Sequence, residues 1–301
     1  MEKEVSYNKH SFEIGNLDKT FYPSAGLTKG DIIEYYEKIA DTILPYLKNR
    51  PLTLQRFPNG IDDKNFYQKD KPDYFPDWIK SIKTKKQEGG KIEYVMCNDK
   101  ASLIYLVNQA GIIFHTGLST KNNLNKPDKI IIDLDPSTTN FETIKTAAER
   151  IRKIIEEKLN ATAFVMTTGS RGLHVMLPIK PEEGFDTVRE FSQNLATYIA
   201  KQYPEDLTTA VRKNKRENKL FLDVARNALG QTAVCPYSLR AIKNAPIATP
   251  LEWDELAKLE SAQAYTLGNI FRRLAQKDDP WKKFSEKAVS FKSLKEKLEK
   301  L

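Results

Sequence analysis

Apolar residues recur along this chain at two spacings, and the spacing changes mark the elements. Ile32, Ile33, Tyr36, Ile39, Ile43, Leu44 and Leu47 fall at helical intervals. They predict a helix entered through Thr28-Lys29-Gly30-Asp31, a capping box with Asp in place of Glu. The same interval predicts a short helix around 103–107. A longer one carries Ile144, Ala147, Ala148, Ile151, Ile155 and Leu159 with Asn140 as its cap, and another carries Phe185, Val188, Phe191, Leu195 and Ile199. Residues 251–259 and 283–301 read as helices with charged outer faces. Alternation at period two predicts strands at 51–57, 111–115, 129–135 and 220–224, and a strand–turn–strand unit over 164–178. Glu88-Gly89-Gly90 between Lys83, Lys85, Lys86 and Lys91 predicts a basic hairpin over 81–95.

One of these strands brings two carboxylates to one place. In Lys129-Ile130-Ile131-Ile132-Asp133-Leu134-Asp135-Pro136, the residues Ile130, Ile132 and Leu134 share a core face. Ile131, Asp133 and Asp135 share the other, and Pro136 ends the strand so that the acids stand at its exit. Side-by-side anions repel unless a cation lies between them, and hard divalent cations take oxygen ligands. The rival reading is a pair of surface acids. In 220–224, Leu220, Leu222 and Val224 alternate against Phe221, Asp223 and Ala225, which makes Asp223 a candidate third carboxylate.

The turn Thr168-Gly169-Ser170-Arg171-Gly172 gathers hydroxyls, backbone N–H groups and a guanidinium. Leu173, Val175, Leu177 and Ile179 form the core face beyond it, so His174 points the other way. Such a cluster suits a polyphosphate, and its alternative is a polar hairpin with one exposed histidine. Lys29 falls in a first helical turn, where free N–H groups favour an anion, although it and Lys19 are also consistent with ordinary solvated lysines. Phe66 and Tyr67 lie among lysines and suit base stacking. Equally, one ring could pack inward while the other covers an edge. His115, at a strand end, reads as structural by itself, and Arg212-Lys213-Asn214-Lys215-Arg216 as a solvated charge run.

Composition narrows the class. The 301 residues suffice for one large domain or two joined subdomains. With 40% hydrophobic and 29% charged residues, the chain reads as globular with a wet surface. A net charge of +8 and a pI of about 9.1 favour anionic partners, nucleic acid or nucleotides included. Cys97 and Cys235 belong to no Cys/His cluster, so neither a zinc site nor a disulfide framework is expected, and the compartment reads as reducing and cytosolic. Nothing approaches membrane-spanning length, the N-terminus has no apolar signal core, and no repeat or long linker is visible.

Taken together, these stretches resemble the polymerase domain of bacterial ATP-dependent DNA ligase D, of the archaeo-eukaryotic primase superfamily. The resemblance is carried by Leu17-Asp18-Lys19 with Tyr22-Pro23, Thr28-Lys29-Gly30, Phe66-Tyr67-Gln68-Lys69, Asp133-Leu134-Asp135-Pro136 and Gly169-Ser170-Arg171-Gly172-Leu173-His174. It continues through Asp223 with Arg226-Asn227, Gly230-Gln231-Thr232, Pro236-Tyr237-Ser238-Leu239-Arg240 and Thr249-Pro250-Leu251-Glu252-Trp253, in family order. It implies an α+β fold, a primase-like catalytic core of mixed sheets flanked by helices. One primase-polymerase domain would fill residues 1–301, with a core at 12–285 and a C-terminal helix in 286–301.

By that resemblance, Asp133, Asp135 and Asp223 hold two divalent ions, manganese or magnesium, with His115 near the active centre. Thr168, Ser170, Arg171, His174, Arg226, Gln231 and Arg240 surround the nucleotide. Arg171 stands where the family often has Lys, which keeps the charge, and Tyr67 where it commonly has Phe, which keeps the stacking face. Lys19 and Lys29 receive a DNA 5′-phosphate, Phe66 and Tyr67 stack on the template, and the loops at 81–91 and 211–216 project toward a DNA end. The implied activity is ribonucleotide-preferring, template-directed addition at gaps and 3′ ends during non-homologous end joining. Its partners would be DNA ends, gapped DNA, nucleoside triphosphates, a Ku-like end-binding protein and an ATP-dependent ligase, in a nucleoid-associated cytoplasmic setting. No ligase signature is present, so a stand-alone enzyme and a domain of a larger fusion both remain open. The rival classes are a stand-alone primase or primase-polymerase, a two-metal nuclease, and a non-catalytic DNA-end bridging module.

Overall fold

The structure, a computed structural model, describes residues 2–85, 89–135 and 140–301, with the side chains of Lys85 and Asp135 outside the described set. The expectations placed on Pro136, Lys86 and Glu88 therefore lie outside the described residues. The fold is α+β, and the chain forms two compact units. Unit 1 comprises Met1–Gly117, Thr232–Ala248 and Tyr265–Phe271; unit 2 comprises Leu118–Gln231, Thr249–Ala264 and Arg272–Leu301.

Unit 1 opens with the hairpin β1 (Lys3–Tyr7) and β2 (His10–Ile14), then the short pair β3 (Thr20–Tyr22) and β4 (Leu27–Thr28). Helix α1 (Lys29–Leu47) begins at the expected capping box: Thr28 Oγ1 accepts from the Asp31 N–H, and the Asp31 carboxylate accepts from the Thr28 N–H at 2.7 Å. Next come β5 (Leu52–Arg56), β6 (Phe66–Gln68), the hairpin β7 (Ser81–Lys85) and β8 (Lys91–Val95), α2 (Lys100–Asn108) and β9 (Gly111–Gly117). Strand β5 lies between β9 and β6, which leaves β6 at the sheet edge. The apolar stripe of α1 (Ile32, Tyr36, Ile39, Ile43, Leu47) is buried, with α2 and β9 packed against the helix. Each such side chain contributes about 1.5–3 kcal/mol.

Unit 2 contains β10 (Lys129–Asp135), α3 (Phe141–Lys153), β11 (Phe164–Thr167), β12 (Leu173–Pro178), α4 (Phe185–Gln202), β13 (Leu207–Thr208) and β14 (Leu220–Asp223). The chain then returns to unit 1 as β15 (Thr232–Val234), which joins the free edge of β9. Back in unit 2, β16 (Pro250–Leu251) and α5 (Trp253–Ala257) follow. Helix α6 (Ile270–Leu274) leads out of unit 1, and α7 (Phe291–Leu298) is the last helix. The six-stranded sheet of unit 2 has the order β13-β14-β10-β12-β11-β16, antiparallel except for β13 with β14.

Three boundaries differ from expectation, the first two because backbone pairing intervenes. Residues 251–259 are helical only from Trp253, since Pro250 and Leu251 pair with β11. The segment expected as a C-terminal helix over 286–301 is broken. Val289 bridges to Ile179 and must be extended, so α7 starts at Phe291. Helix α3 ends at Lys153 and runs on as a π-helical turn, Ile154–Lys158.

Candidate active site

Strand β10 lies between β12 and β14, and its register decides the site. Asp133 stands directly opposite His174 of β12 on one side and Asp223 of β14 on the other. Directly opposed residues share a sheet face and stand about 4.5–5.5 Å apart at Cβ. One row of a single face therefore carries His174, Asp133 and Asp223. By alternation the Asp135 position lies on that same face, next to Asp133.

Asp133 is 8% exposed, and an imidazole and a guanidinium stand near it. His174 Nε2 is 3.6 Å from Oδ1, and Arg226 Nε is 3.6 Å from Oδ2. Both distances are long for hydrogen bonds but short for Coulomb attraction. Burial pushes the Asp133 carboxyl up, His174 and then Arg226 pull it down, and the net lies below its ordinary value. Asp133 is thus an anion at neutral pH. Half-buried Asp223 accepts from the Ala225 N–H at 2.8 Å through Oδ1, which opens the 3-10 turn Ala225–Asn227 that carries Arg226.

Asn227 is the residue the sequence reading left without a role. Its side chain is fully buried and copies a neighbouring strand. Oδ1 accepts from the Ile131 N–H at 2.9 Å, and Nδ2 donates to the Ile131 carbonyl at 2.8 Å and the Val224 carbonyl at 2.9 Å. Strand β14 can therefore leave β10 after Asp223 without orphaning Ile131. The only sequence signal was one polar residue in a tight turn beside an acid-bearing strand. Asn227→Ala should destabilise the protein by about 1–3 kcal/mol for each group left unpaired. Denaturant unfolding read against wild type checks this, and unchanged stability would mean that the clamp carries no weight.

The turn 168–172 is built around Thr168, whose hydroxyl donates to the Gly172 carbonyl at 3.0 Å and accepts from the Ser170 and Gly172 N–H groups at 3.3 Å. Thr168 thus closes the turn from within. Gly169 takes φ +65°, a conformation that favours glycine. Gln263 Nε2 donates to the Ser170 carbonyl at 3.0 Å, an anchor from far along the chain that sequence reading missed. Arg171 and Gln231 are exposed. His174 is neither exposed nor part of the turn. It is 3% exposed in the carboxylate row, and its buried Nδ1 has no hydrogen-bond partner among the described residues.

The remaining expected residues belong to unit 1. Lys29 is buried, and its ammonium donates to the Gly15 carbonyl and Asn108 Oδ1, both at 2.7 Å. Burial, then the neighbouring Lys19 charge, lowers its pKa from 10.5 to about 8. Lys19 is exposed and donates to Asn59 Oδ1 at 2.6 Å. Asn59 is placed by the turn at Gly60. A Cβ on Gly60 would meet the Thr20 carbonyl oxygen at 2.9 Å, and its φ of +90° also demands glycine. The expectation of free N–H groups at the start of α1 is corrected. Lys29 N–H donates to the Lys19 carbonyl, Gly30 N–H to the Leu17 carbonyl and Asp31 N–H to Thr28. Side chains, not the helix N–H groups, are what this corner offers an anion.

Phe66 and Tyr67 are 46% and 60% exposed on edge strand β6, so neither ring packs inward. His115, half-buried on β9, meets the Tyr67 ring edge-on with centroids 6.1 Å apart. Arg240 sits in a segment pinned by three tyrosine hydroxyls. Tyr22 donates to the Arg240 carbonyl at 2.9 Å, Tyr35 to that of Tyr237 at 2.7 Å, and Tyr36 accepts from the Leu239 N–H at 3.1 Å.

The donor chemistry of the Asp133–Asp223 row suits a hard divalent cation. It consists of carboxylate oxygens from facing strands, whose mutual repulsion a cation would relieve. Among the described residues no three His, Cys, Asp or Glu side chains form a metal-holding group, and the Asp135 side chain is outside that set. No helix among the described residues is long and apolar enough to cross a membrane.

The family model of the LigD primase-polymerase domain matches residues 28–281. The bifunctional non-homologous end joining protein LigD of Bacillus subtilis is 32% identical over 268 residues, covering 88% of this chain and 43% of that protein. The multifunctional non-homologous end joining protein LigD of Pseudomonas aeruginosa is 29% identical, covering 89% and 32%. This chain thus spans less than half the length of either relative. A solved structure of the polymerase domain from Mycobacterium tuberculosis ligase D, in complex with DNA, superposes with a TM-score of 0.84 at 26% identity, over 91% of this chain and 98% of that one. By sequence and by fold, the chain belongs to the LigD primase-polymerase domain family.

Proposed function

We propose that this protein adds nucleotides, directed by a template, to the 3′ end of a DNA primer at gaps and broken ends, in the service of non-homologous end joining. The observation that carries the reading is the register that sets Asp133 opposite Asp223, with the Asp135 position beside them. The reading is further supported by relatives named for end joining and by a structural neighbour solved on DNA.

Asp133, Asp135 and Asp223 would hold divalent cations, two by family expectation, manganese or magnesium. Bound there, such ions would lower the pKa of the primer hydroxyl and neutralise charge developing toward pyrophosphate. The buried Nδ1 of His174 would meet a triphosphate oxygen, with Arg226, Ser170, Arg171 and Gln231 as further polar contacts and Thr168 shaping the turn. Arg240 and His115 are assigned to the nucleotide and the active centre on family resemblance. Lys19 and Lys29 would take a terminal 5′-phosphate, and Phe66 and Tyr67 would stack on template bases. The basic segments at 81–91 and 211–216 would reach toward a DNA end. A Ku-like protein and an ATP-dependent ligase would complete the repair.

A primer-extension assay on gapped DNA, with an unprimed single strand alongside and manganese present, tests the reading. Extension of the primer is expected. Synthesis without a primer would point to a primase, loss of the strand to a nuclease, and silence with retained binding to a bridging module. A ribonucleotide should be incorporated more efficiently than its deoxy counterpart at matched metal, and equal or reversed efficiencies would refute that preference. His174→Ala should raise the nucleotide concentration needed for half-maximal rate more than it weakens DNA binding. An unchanged nucleotide titration would leave His174 a structural residue.

A further inference from the structure

Near Phe66 and Tyr67 a third large ring stands in solvent. Tyr74 is 62% exposed and meets Phe75 edge-on, with centroids 5.1 Å apart. Arg56 ties this ring to strand β6. Its Nη1 donates to the Tyr74 hydroxyl at 2.7 Å and to Gln68 Oε1 at 2.5 Å, and its Nε donates to the Gln109 carbonyl at 2.6 Å. Its Cζ lies 5.3 Å from the centroid of the Phe66 ring. A guanidinium held by so many contacts is rigid, and it fixes an exposed tyrosine that would otherwise be free to turn. The arrangement therefore pre-organises a ring in water, which lowers the entropy cost of a ligand that uses it. Arg56 Nη2 makes no hydrogen bond among the described residues, so the same group retains donors beside the rings.

Exposed rings with a cationic donor among them match one class of ligand. Single-stranded nucleic acid repeats a π-face and a phosphate at every step, and proteins bind it by aromatic stacking along a positively charged track. A protein partner would instead want a continuous apolar patch. Here the strand around the rings carries Lys64, Asn65, Lys69 and Asp70. We propose that Tyr74 is a third stacking position, and that Arg56 contacts the phosphate between the bases on Phe66 and Tyr74. The platform would then hold one more unpaired template nucleotide than Phe66 and Tyr67 alone. This inference rests on the template-binding reading of that pair.

The test measures binding of fluorescein-labelled duplexes with unpaired template extensions of increasing length, by anisotropy at fixed salt. Tyr74→Ala should weaken binding of the longer extensions roughly five- to tenfold and leave the blunt duplex unchanged. Tyr74→Phe should lose at most about twofold, because it keeps the stacking ring and loses only the hydroxyl through which Arg56 holds it. Circular dichroism melting confirms that each variant is folded. If Tyr74→Ala matches wild type while Phe66→Ala with Tyr67→Ala loses extension-dependent binding, the third position is overturned and the template reading stands. If Tyr74→Phe fails as badly as Tyr74→Ala, stacking is not the cause and the proposal falls. If wild type shows no dependence on extension length, the template reading fails and takes this inference with it.

Discussion

Asp133→Asn and Asp223→Asn should each lower nucleotide addition by at least about 10³-fold while DNA binding stays near wild type. The substitutions are close to isosteric, so they isolate charge from shape. In the Asp223 variant the side-chain oxygen can still accept from the Ala225 N–H and keep the turn that carries Arg226. In the Asp133 variant the buried volume is filled, and the guanidinium that loses its counter-charge, Arg226, is 43% exposed. Stability should therefore change little. Phosphoryl transfer depends almost wholly on positioning and charge stabilisation, so loss of one carboxylate should be felt mainly in rate. Single-turnover extension compared with anisotropy of DNA binding makes the separation. A variant that extends within about threefold of wild type removes that residue from the cation-holding set.

The second large effect concerns the 5′-phosphate. Lys19→Ala should reduce the preference for a phosphorylated over an unphosphorylated gap by about tenfold, the worth of one charge-assisted hydrogen bond of roughly 1.5–3 kcal/mol. Lys19 is exposed, so its loss leaves folding intact. Lys29→Ala should erase more of the preference, and it should also cost stability, because the Gly15 carbonyl and Asn108 Oδ1 lose their donor. The pH dependence has a definite sign. With a folded pKa of about 8, below its ordinary 10.5, Lys29 binds fewer protons folded than unfolded between those values. Its contribution to stability therefore rises with pH across that window. Phosphate recognition runs the opposite way, since it needs the ammonium. The preference should fall as pH climbs through about 8, and phosphate binding there should take up a proton. Binding compared at neutral and alkaline pH, at fixed salt, measures this. A flat profile, or a Lys19/Lys29 double variant that still discriminates, would place the phosphate pocket elsewhere.

Local pattern reached far into this protein and stopped at particular places. The alternation in 129–135 put Asp133 and Asp135 on one face, and the Thr28–Asp31 box opened α1 as read. Alternation could not show that the sheet is covered on both sides. Ile131 and Met176, on the nominally open face, are 1% and 3% exposed, which is why Asp133 is buried and held as an anion by its neighbours. The pairing of Asp133 with Asp223 joins strands far apart in sequence, and nothing local encodes the register. His174 was correctly turned away from the Leu173 face, but its place beside Asp133 again depends on long-range register. The N–H groups of α1 looked free because the acceptors, Leu17 and Lys19, lie in the irregular stretch before it. Gly15, Asn59 and Asn108 escaped notice for the same reason: each serves a lysine from another part of the chain. The division into two units, with the chain entering each three times, is likewise a product of tertiary pairing.

The most direct measurement is addition of single labelled nucleotides to one 5′-phosphorylated gapped duplex, each of the four bases offered separately, with manganese and then with EDTA. Only the nucleotide complementary to the template should be added efficiently, and chelation should abolish the reaction. Addition that ignores the template base, or that persists undiminished in EDTA, would contradict template-directed, cation-dependent addition.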